Sequence, residues 1–396
     1  MHNGISRWLP VLSALSVLLS ACSDDSTEQN ALLTPHLPFV EFAVRETTIT
    51  PTGGYTFKEF VPMNGTIDLV GRSGNYSASA VMAFYASYFP DRDTVNVLSA
   101  TLYLHGASFF GDSTGQVAFD VYRLNRTWNQ ATITWDSVDA SFYDASVSRG
   151  SYTGRIGLDT EQVAVQLDTA MARLWLATET ATVYGYRYGF ILVPNAASTV
   201  IRGFQSFEND SASYVPSLRL ICQNVAGTVT DTAIYSLGVD TFVGNVDPLD
   251  VKPDRYYIQA GVVYRSVINF DVSFLRQGYV VNSGILTMQR DPATSRLNRF
   301  ALDTAIAVHI MGGPTSASSF AATSAQARLL PGSSVVYTAD VHTAVQSWIR
   351  GSNYGLLLRT DGTREYQALD LVTIFNHAAA AALKPQLKLI YSVPKN

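Results

Sequence analysis

The pattern of apolar and polar residues beyond residue 38 is that of β-strands. In the stretch 99–105, Ala and Leu alternate with Ser, Thr, Tyr and His, which is the period of two shown by a half-buried strand. The stretches 117–121 and 387–391 alternate in the same way, and clusters of Gly, Asn, Asp and Ser separate such runs. Helical periodicity is almost absent, so the sequence predicts an all-β fold.

The chain also repeats itself once. Four blocks recur in the same order: 79–84 at 265–270, 97–102 at 281–286, 166–171 at 340–345, and 216–220 at 385–389. The separation between corresponding residues falls from 186 (Phe84 and Phe270) to 169 (Pro216 and Pro385), so the second copy has shorter loops. A unit of this length is a whole domain rather than one turn of a solenoid. We therefore predict two tandem jelly-roll-like β-sandwich modules, residues 39–225 and 226–396.

The third repeated block carries the helical signal. Met171 and Leu174 are three residues apart, as are Val345 and Trp348, and Asp or Thr residues precede each pair. One or two helical turns with such an apolar pair would close the end of a sandwich. We expect a short helix at this point in both modules.

The first residues have the features of a lipoprotein signal peptide, predicted here as residues 1–21. Arg7 supplies a positive charge, residues 8–20 form an apolar segment too short to span a bilayer, and Leu19-Ser20-Ala21-Cys22 matches the bacterial lipobox. The match predicts lipidation of Cys22, a flexible tether over residues 22–38, and anchoring in the cell envelope as an outer-membrane lipoprotein. The acidic pair after Ser23 resembles a surface-export tag, although a solvated tether would look the same.

Composition narrows the possible partners of the chain. Only 15% of the 396 residues are charged, the net charge is −5, and no basic run occurs, so nucleic acid is not an expected partner. The membrane is expected to be contacted through the N-terminal lipid alone, because no later apolar stretch approaches the roughly 20 residues of a spanning helix. Two cysteines cannot form a disulfide scaffold or a zinc site, and Cys222, on an apolar strand face, is expected to be a buried thiol.

The order of the repeated blocks resembles the DNRLRE-domain family of extracellular jelly-roll modules. The residues that carry the resemblance are Leu69-Val70-Gly71, residues 81–84, residues 99–104, Trp128 to Trp135, residues 189–192, Pro216-Ser217-Leu218, and in the second copy residues 340–348, 353–358 and 385–387. Such modules occur beside polysaccharide-degrading enzymes, and some members bind acidic polysaccharides such as alginate. The resemblance therefore implies a polysaccharide partner, acidic in some members.

Aromatic and basic residues in module 1 are the candidate carbohydrate site. Trp128 and Trp135 could stack on the apolar faces of sugar rings, and the neighbouring Arg123 and Arg126 could hold uronate carboxylates. Tyr186, with a tyrosine two residues away on either side, could add a stacking surface. The alternative interpretation is that both tryptophans pack the end of the sandwich and that the tyrosines form an ordinary ladder on a β-sheet face.

Neither a metal nor a catalytic centre is predicted. Four acidic residues lie in a stretch that reads as a loop, namely Asp240, Asp247, Asp250 and Asp254, but they lack the spacing of a calcium motif and indicate a solvated loop. The six histidines are scattered, and no serine lies in a nucleophile elbow. We expect no cofactor and no enzymatic activity.

These observations favour a non-catalytic, lipid-anchored envelope protein whose modules bind polysaccharide at the bacterial surface. The alternative is a structural or adhesive surface protein whose modules act as a spacer and contact other proteins. A polysaccharide lyase or hydrolase with unrecognised acids is a third possibility. Because module 2 lacks the tryptophan pair, any sugar site is expected in module 1.

Overall fold

The computed structural model describes most of the chain beyond the predicted tether. The described residues are 41–395, except 60, 86–93, 158–159, 175–188, 209–210, 248, 298–304 and 316–318. The signal peptide, Cys22, the whole tether and Tyr186 lie outside the described residues. Their predictions therefore stay predictions.

The described chain is built almost wholly of β-strands. In chain order these are β1 (Phe42–Ile49), β2 (Gly53–Lys58), β3 (Ile67–Ser73), β4 (Tyr76–Tyr85), β5 (Val95–Gly111), β6 (Val117–Arg123), β7 (Gly150–Gly154), β8 (Gln162–Leu167), β9 (Phe190–Pro194), β10 (Val200–Gln205), β11 (Ser217–Asn224), β12 (Thr230–Val246), β13 (Arg255–Gln259), β14 (Tyr264–Asn269), β15 (Val280–Gln289), β16 (Ile306–Met311), β17 (Phe320–Leu329), β18 (Val336–Asp340), β19 (Leu356–Thr360), β20 (Leu371–Phe375) and β21 (Gln386–Pro394). Short helices are α1 (Thr169–Leu174), α2 (His342–Arg350) and α3 (Gly362–Glu365). The predicted all-β, jelly-roll-like sandwich fold is confirmed.

The first sandwich is a curled antiparallel sheet in the order β10-β3-β4-β12-β11-β5-β8-β7-β6-β9. Its two longest strands run through both layers: β5 pairs with β11 and β8 and then with β10, and β12 pairs with β11 and then with β4. Pairing of β4 with β9 closes the curl. The enclosed core is apolar and includes Phe119, Phe190 and Phe204. Cys222 is buried in it, and burial raises the pKa of its thiol, as expected for an unreactive group.

The second sandwich is ordered β1-β21-β15-β18-β17-β16-β19-β14-β13-β20, with β2 paired to β14. β17 joins its layers, because one end of the strand pairs with β16 and the other with β18. The predicted helical turn is α2, which buries Val345 and Trp348 against the core of this sandwich. Its counterpart α1 buries Met171 in the first core. Both helices lie where the repeated block placed them.

The two sandwiches exchange strands. In the sequence repeat, β11 corresponds to β21, and β4 corresponds to β14. In the first sandwich, β12 pairs with both β11 and β4. The equivalent positions on β21 and β14 are taken by β1 and β2, which precede the first sandwich in the chain. The predicted boundary between residues 225 and 226 therefore falls between β11 and β12, which are hydrogen-bonded neighbours. The ranges 39–225 and 226–396 do not coincide with the two sheets.

An ion cluster ties the exchanged segment to the second sandwich. Arg265 on β14 contacts Glu365 of α3, with 3.1 Å between Nε and Oε1, and also contacts Glu59, which directly follows β2. Arg359 on β19 contacts the second oxygen of Glu365, which is wholly buried. Removing one partner of such a group would leave a buried charge unpaired, which costs about 3–5 kcal/mol.

A shared apolar cluster lies where the two sandwiches meet. It contains Leu69, Tyr76, Phe110, Ile201 and Phe242 from the first sandwich and Val262, Val263 and Leu369 from the second. The side chains of these residues are at most 7% exposed. The sandwiches are thus joined by packing as well as by exchanged strands.

The strand exchange predicts which fragments fold. Residues 39–225 carry β1 and β2 without their partners and lack β12, whereas residues 59–246 hold every strand of the first sandwich. We expect fragment 59–246 to unfold cooperatively in urea and fragment 39–225 to lack a cooperative transition, because the latter leaves strand edges unpaired. Circular dichroism and size-exclusion chromatography measure both properties.

A matched pair of fragments tests whether the second sandwich needs β1 and β2 to fold. Residues 395 and 41 lie close together, because the amide of Lys395 donates to the carbonyl of Glu41 at 2.7 Å. A permuted fragment can therefore begin with residues 247–395 and continue through a short linker into residues 41–58. This permuted fragment is expected to fold, and 226–396 is not. Equal stability of 226–396 and the permuted fragment would contradict the exchange.

Candidate functional site

The most elaborate surface of the first sandwich is the outer face of β4 and β9. Ala80 and Met82 of β4 face the core, so the alternate residues Ser79 and Val81 face outward. The connection between β6 and β7, residues 124–149, folds over this face and contributes buried Leu124, Ile133 and Phe142. Trp128 and Trp135, the predicted sugar platform, lie in this connection, which we call the tryptophan loop.

Local hydrogen bonds give the tryptophan loop its shape. The Asn129 side chain accepts from the amide of Ala131 at 2.8 Å, and a 3-10 turn over Trp135–Ser137 begins at Thr134. The hydroxyl and amide of Ser141 donate to Asp139 and hold the pKa of that carboxyl below its usual value. Asx turns of this kind restrict a loop without a regular element.

A groove of about 180 Å³ lies between the tryptophan loop and the sheet. Trp135, Val138 and Tyr143 line it from the loop, and Arg72, Ser77, Ser79, Ile191, Val193 and Pro194 line it from the strands. Trp135 and Tyr143 are half-buried, so each presents part of its ring to the groove. The groove combines aromatic walls, an apolar floor and the hydroxyl groups of two serines and one tyrosine.

Arg72 gives the groove a positive charge. It lies near the end of β3 and is exposed, and its guanidinium makes no ion pair with the described residues. None of the lining residues is acidic. Sequence reasoning missed Arg72, because no local pattern marks a lone arginine next to a glycine as a groove residue.

The two predicted arginines have other roles in the structure. Arg126 donates to the carbonyl of Ser137 at 2.7 Å, lies 3.6 Å from Asp139, and stands over the ring of Phe142. Arg123 lies 3.8 Å from the carboxylate of Asp144. Both therefore brace the tryptophan loop, and neither lines the groove.

The two predicted tryptophans also differ in whether they line the groove. Trp135 lines the groove, whereas Trp128 packs half-buried against the apolar cluster beneath the tryptophan loop. Gln130, two residues after Trp128, donates to Glu208 at 2.8 Å and so connects the tryptophan loop to the segment after β10. Tyr186 cannot be placed, since it lies outside the described residues.

The acidic stretch differs from its predicted form at one position. Asp247 and Asp250 are exposed, as expected for a solvated loop, but Asp240 is part of β12 and only 1% exposed. Burial raises the pKa of Asp240 to about 6. Because side chains alternate along β12, Asp240 points inward. The residues around it in the sequence did not predict this orientation.

Two kinds of feature are absent from the described residues. Within these residues no helix is long and apolar enough to cross a membrane. The described part of the chain also has no group of three His, Cys, Asp or Glu side chains that could hold a metal ion. Two of the described histidines bond to main-chain carbonyls: His105 to that of Tyr214 and His309 to that of Ala321.

Comparison with known proteins adds little. No protein-family model and no curated protein matches the chain. One solved structure found by similarity is the "Structure of the Macrobrachium rosenbergii Nodavirus", 11% identical, covering 92% of this chain and 95% of that chain with a TM-score of 0.16. A TM-score this low supports no conclusion about this protein, and the resemblance to DNRLRE domains stays a prediction.

Proposed function

We propose that the protein is a non-catalytic, lipid-anchored component of the cell envelope that binds polysaccharide through its first sandwich. The observation that carries the proposal is the groove with Trp135 and Tyr143 on one wall and Arg72 at its edge. Flat rings stack on the apolar faces of pyranoses, while serine hydroxyls and a guanidinium suit their polar edges.

The size of the groove limits what binds there. Its volume of 180 Å³ is below the roughly 300–1,000 Å³ typical of pockets for drug-sized ligands. The groove would therefore take one sugar ring of a longer chain. One stacking contact and one charge-assisted hydrogen bond contribute about 2–4 kcal/mol, so a single site would be weak. Many such proteins on one membrane would still hold a polymer by multivalency.

A structural or adhesive role is the second candidate. It is favoured by Trp128, Arg123 and Arg126, which pack and brace the tryptophan loop instead of lining the groove. The two candidates differ in whether removal of groove side chains abolishes glycan binding. A glycan array probed with the soluble chain from Ser26 onward identifies the ligand needed for that experiment.

Substitutions in the groove test the proposal. We expect Trp135→Ala to weaken binding of the best array ligand at least tenfold, which corresponds to about 1.4 kcal/mol, because the stacking ring is lost. Arg72→Gln, at an exposed position, should weaken an acidic ligand more than a neutral one. Isothermal titration of each variant measures both effects.

The matched control is Trp128→Phe, which alters the same tryptophan loop away from the groove. It should leave affinity within about twofold of the unaltered protein. Binding that is unchanged by both groove substitutions, or lost in the control alone, would contradict a site in the groove. The circular dichroism spectrum of each variant shows whether the fold is kept.

Anchoring is tested at Cys22. Cys22→Ser is expected to move the protein from the membrane fraction to the soluble fraction or to leave it unprocessed, because lipid chains stabilise membrane attachment by about 0.8 kcal/mol per buried CH₂. Fractionation and metabolic labelling with a fatty acid measure this change. Cys222→Ser is the control and should not alter either readout. Unchanged labelling of the Cys22 variant would exclude lipidation at this residue.

A further inference from the structure

Two carboxyl groups face each other at one end of the first core. Asp68 on β3 is 2% exposed and lies opposite Phe204, and Asp240 on β12 is 1% exposed and lies opposite Met82. Both Phe204 and Met82 belong to the apolar core, so both carboxyl groups point into it. The residues are 172 positions apart in the chain, and the tertiary fold alone brings them together.

The two side chains hydrogen-bond to each other, and one oxygen of each carboxyl group is buried with no donor from the rest of the described protein. These atoms are Asp68 Oδ2 and Asp240 Oδ1. The other oxygen of Asp240, Oδ2, accepts from the amide of Phe207 at 3.1 Å, which fixes the orientation of this carboxylate. A buried carboxylate oxygen that lacks a donor is costly, and native proteins satisfy such atoms with a proton, a water or a metal ion.

Among the described residues, no Arg or Lys side chain forms an ion pair with Asp68 or Asp240. Burial and the neighbouring Asp240 raise the pKa of Asp68 well above its usual value. Burial raises the pKa of Asp240, and the nearby charge of Glu208 raises the pKa of both residues. None of the described Arg or Lys residues contributes to either pKa. Three acids thus lie close together without a basic partner, and the raised pKa of Asp68 favours its protonated form when no cation is bound.

We propose that Asp68 and Asp240 bind a calcium ion through these two buried oxygens, in place of the proton that otherwise joins the carboxyl groups. The available donors are all oxygen, which excludes the nitrogen and sulfur ligands typical of zinc and suits a hard cation. Since no three acidic or histidine side chains among the described residues are already in metal range, main-chain carbonyls and water would complete the shell. Magnesium, with its strict octahedral geometry and firmly held water, fits two buried carboxylates less well.

Glu208 is the side chain that would join the site when the ion binds. Its carboxylate now accepts from Gln130 at 2.8 Å and from Ser206 at 3.1 Å. An ion at this position would connect β3, the exchanged strand β12 and the segment after β10, and through Gln130 it would reach the tryptophan loop. The ion would bind whether or not a sugar occupies the groove.

The experiment uses the soluble chain from Ser26 onward after treatment with EDTA. Equilibrium dialysis against calcium chloride at pH 7.5, followed by elemental analysis, is expected to give one calcium ion per chain. Thermal unfolding should shift upward by roughly 5 °C once calcium exceeds its Kd about 100-fold, with a smaller shift in magnesium chloride. Absence of bound calcium would overturn the proposal and leave a shared proton as the link between the two carboxyl groups.

Variants locate the ion. Asp68→Asn and Asp240→Asn keep the shape of the side chain and remove its charge, so both should lose the calcium-dependent shift. Asp247→Asn, at an exposed position seven residues after Asp240, should keep it. A shift that persists in both core variants would overturn the assignment, as would a shift lost only in Asp247→Asn. If a core variant fails to fold, Glu208→Gln provides the same test and should weaken calcium binding at least threefold.

Discussion

The edge strands of the two curled sheets need hydrogen-bonding partners, and in this chain each sheet takes partner strands from the other predicted module. β12 completes the sheet that precedes it in sequence, whereas β1 and β2 pair with the sheet formed by residues 255–394. An unpaired edge would expose a row of amide and carbonyl groups, so each sandwich depends on a strand that the repeat assigns to the other. The apolar cluster between the sandwiches and the cluster around Glu365 rest on this arrangement, because both contain residues next to exchanged strands.

The same constraint makes the two outer faces different. In the first sandwich, Val81, Ile191 and Val243 are covered by the tryptophan loop, which leaves the groove along its margin. The equivalent face of the second sandwich centres on Val267 and Leu357, and β2 contributes Tyr55 and Phe57 to it. Aromatic residues of an exchanged strand thus occupy part of the area that a long connection covers in the first sandwich.

Buried charge is handled in opposite ways in the two sandwiches. In the second sandwich the carboxylate of Glu365 lies between Arg265 and Arg359, so its charge is neutralised within the protein. The first sandwich buries Asp68 and Asp240 with no such partner among the described basic residues. A buried carboxylate that is neutralised by side chains of the same protein rigidifies the fold. Two buried carboxyl groups without a basic partner instead require a proton or a cation from solution. The contrast is the physical basis for assigning an ion to one sandwich only.

The sequence by itself determined that the chain is all-β, which faces of strands such as β5, β6 and β21 are apolar, and where the helices α1 and α2 lie, because alternation and i,i+3 spacing are local properties. It also named Trp135, which lines the groove, as a candidate sugar-binding residue, together with Trp128, Arg123 and Arg126, which do not line it. Only the tertiary structure decided that β1 and β2 pair with β21 and β14, since the partner of an edge strand is chosen by long-range packing. It alone brought Arg72 to the groove and Asp68 to Asp240, because their proximity depends on strand register across distant parts of the chain.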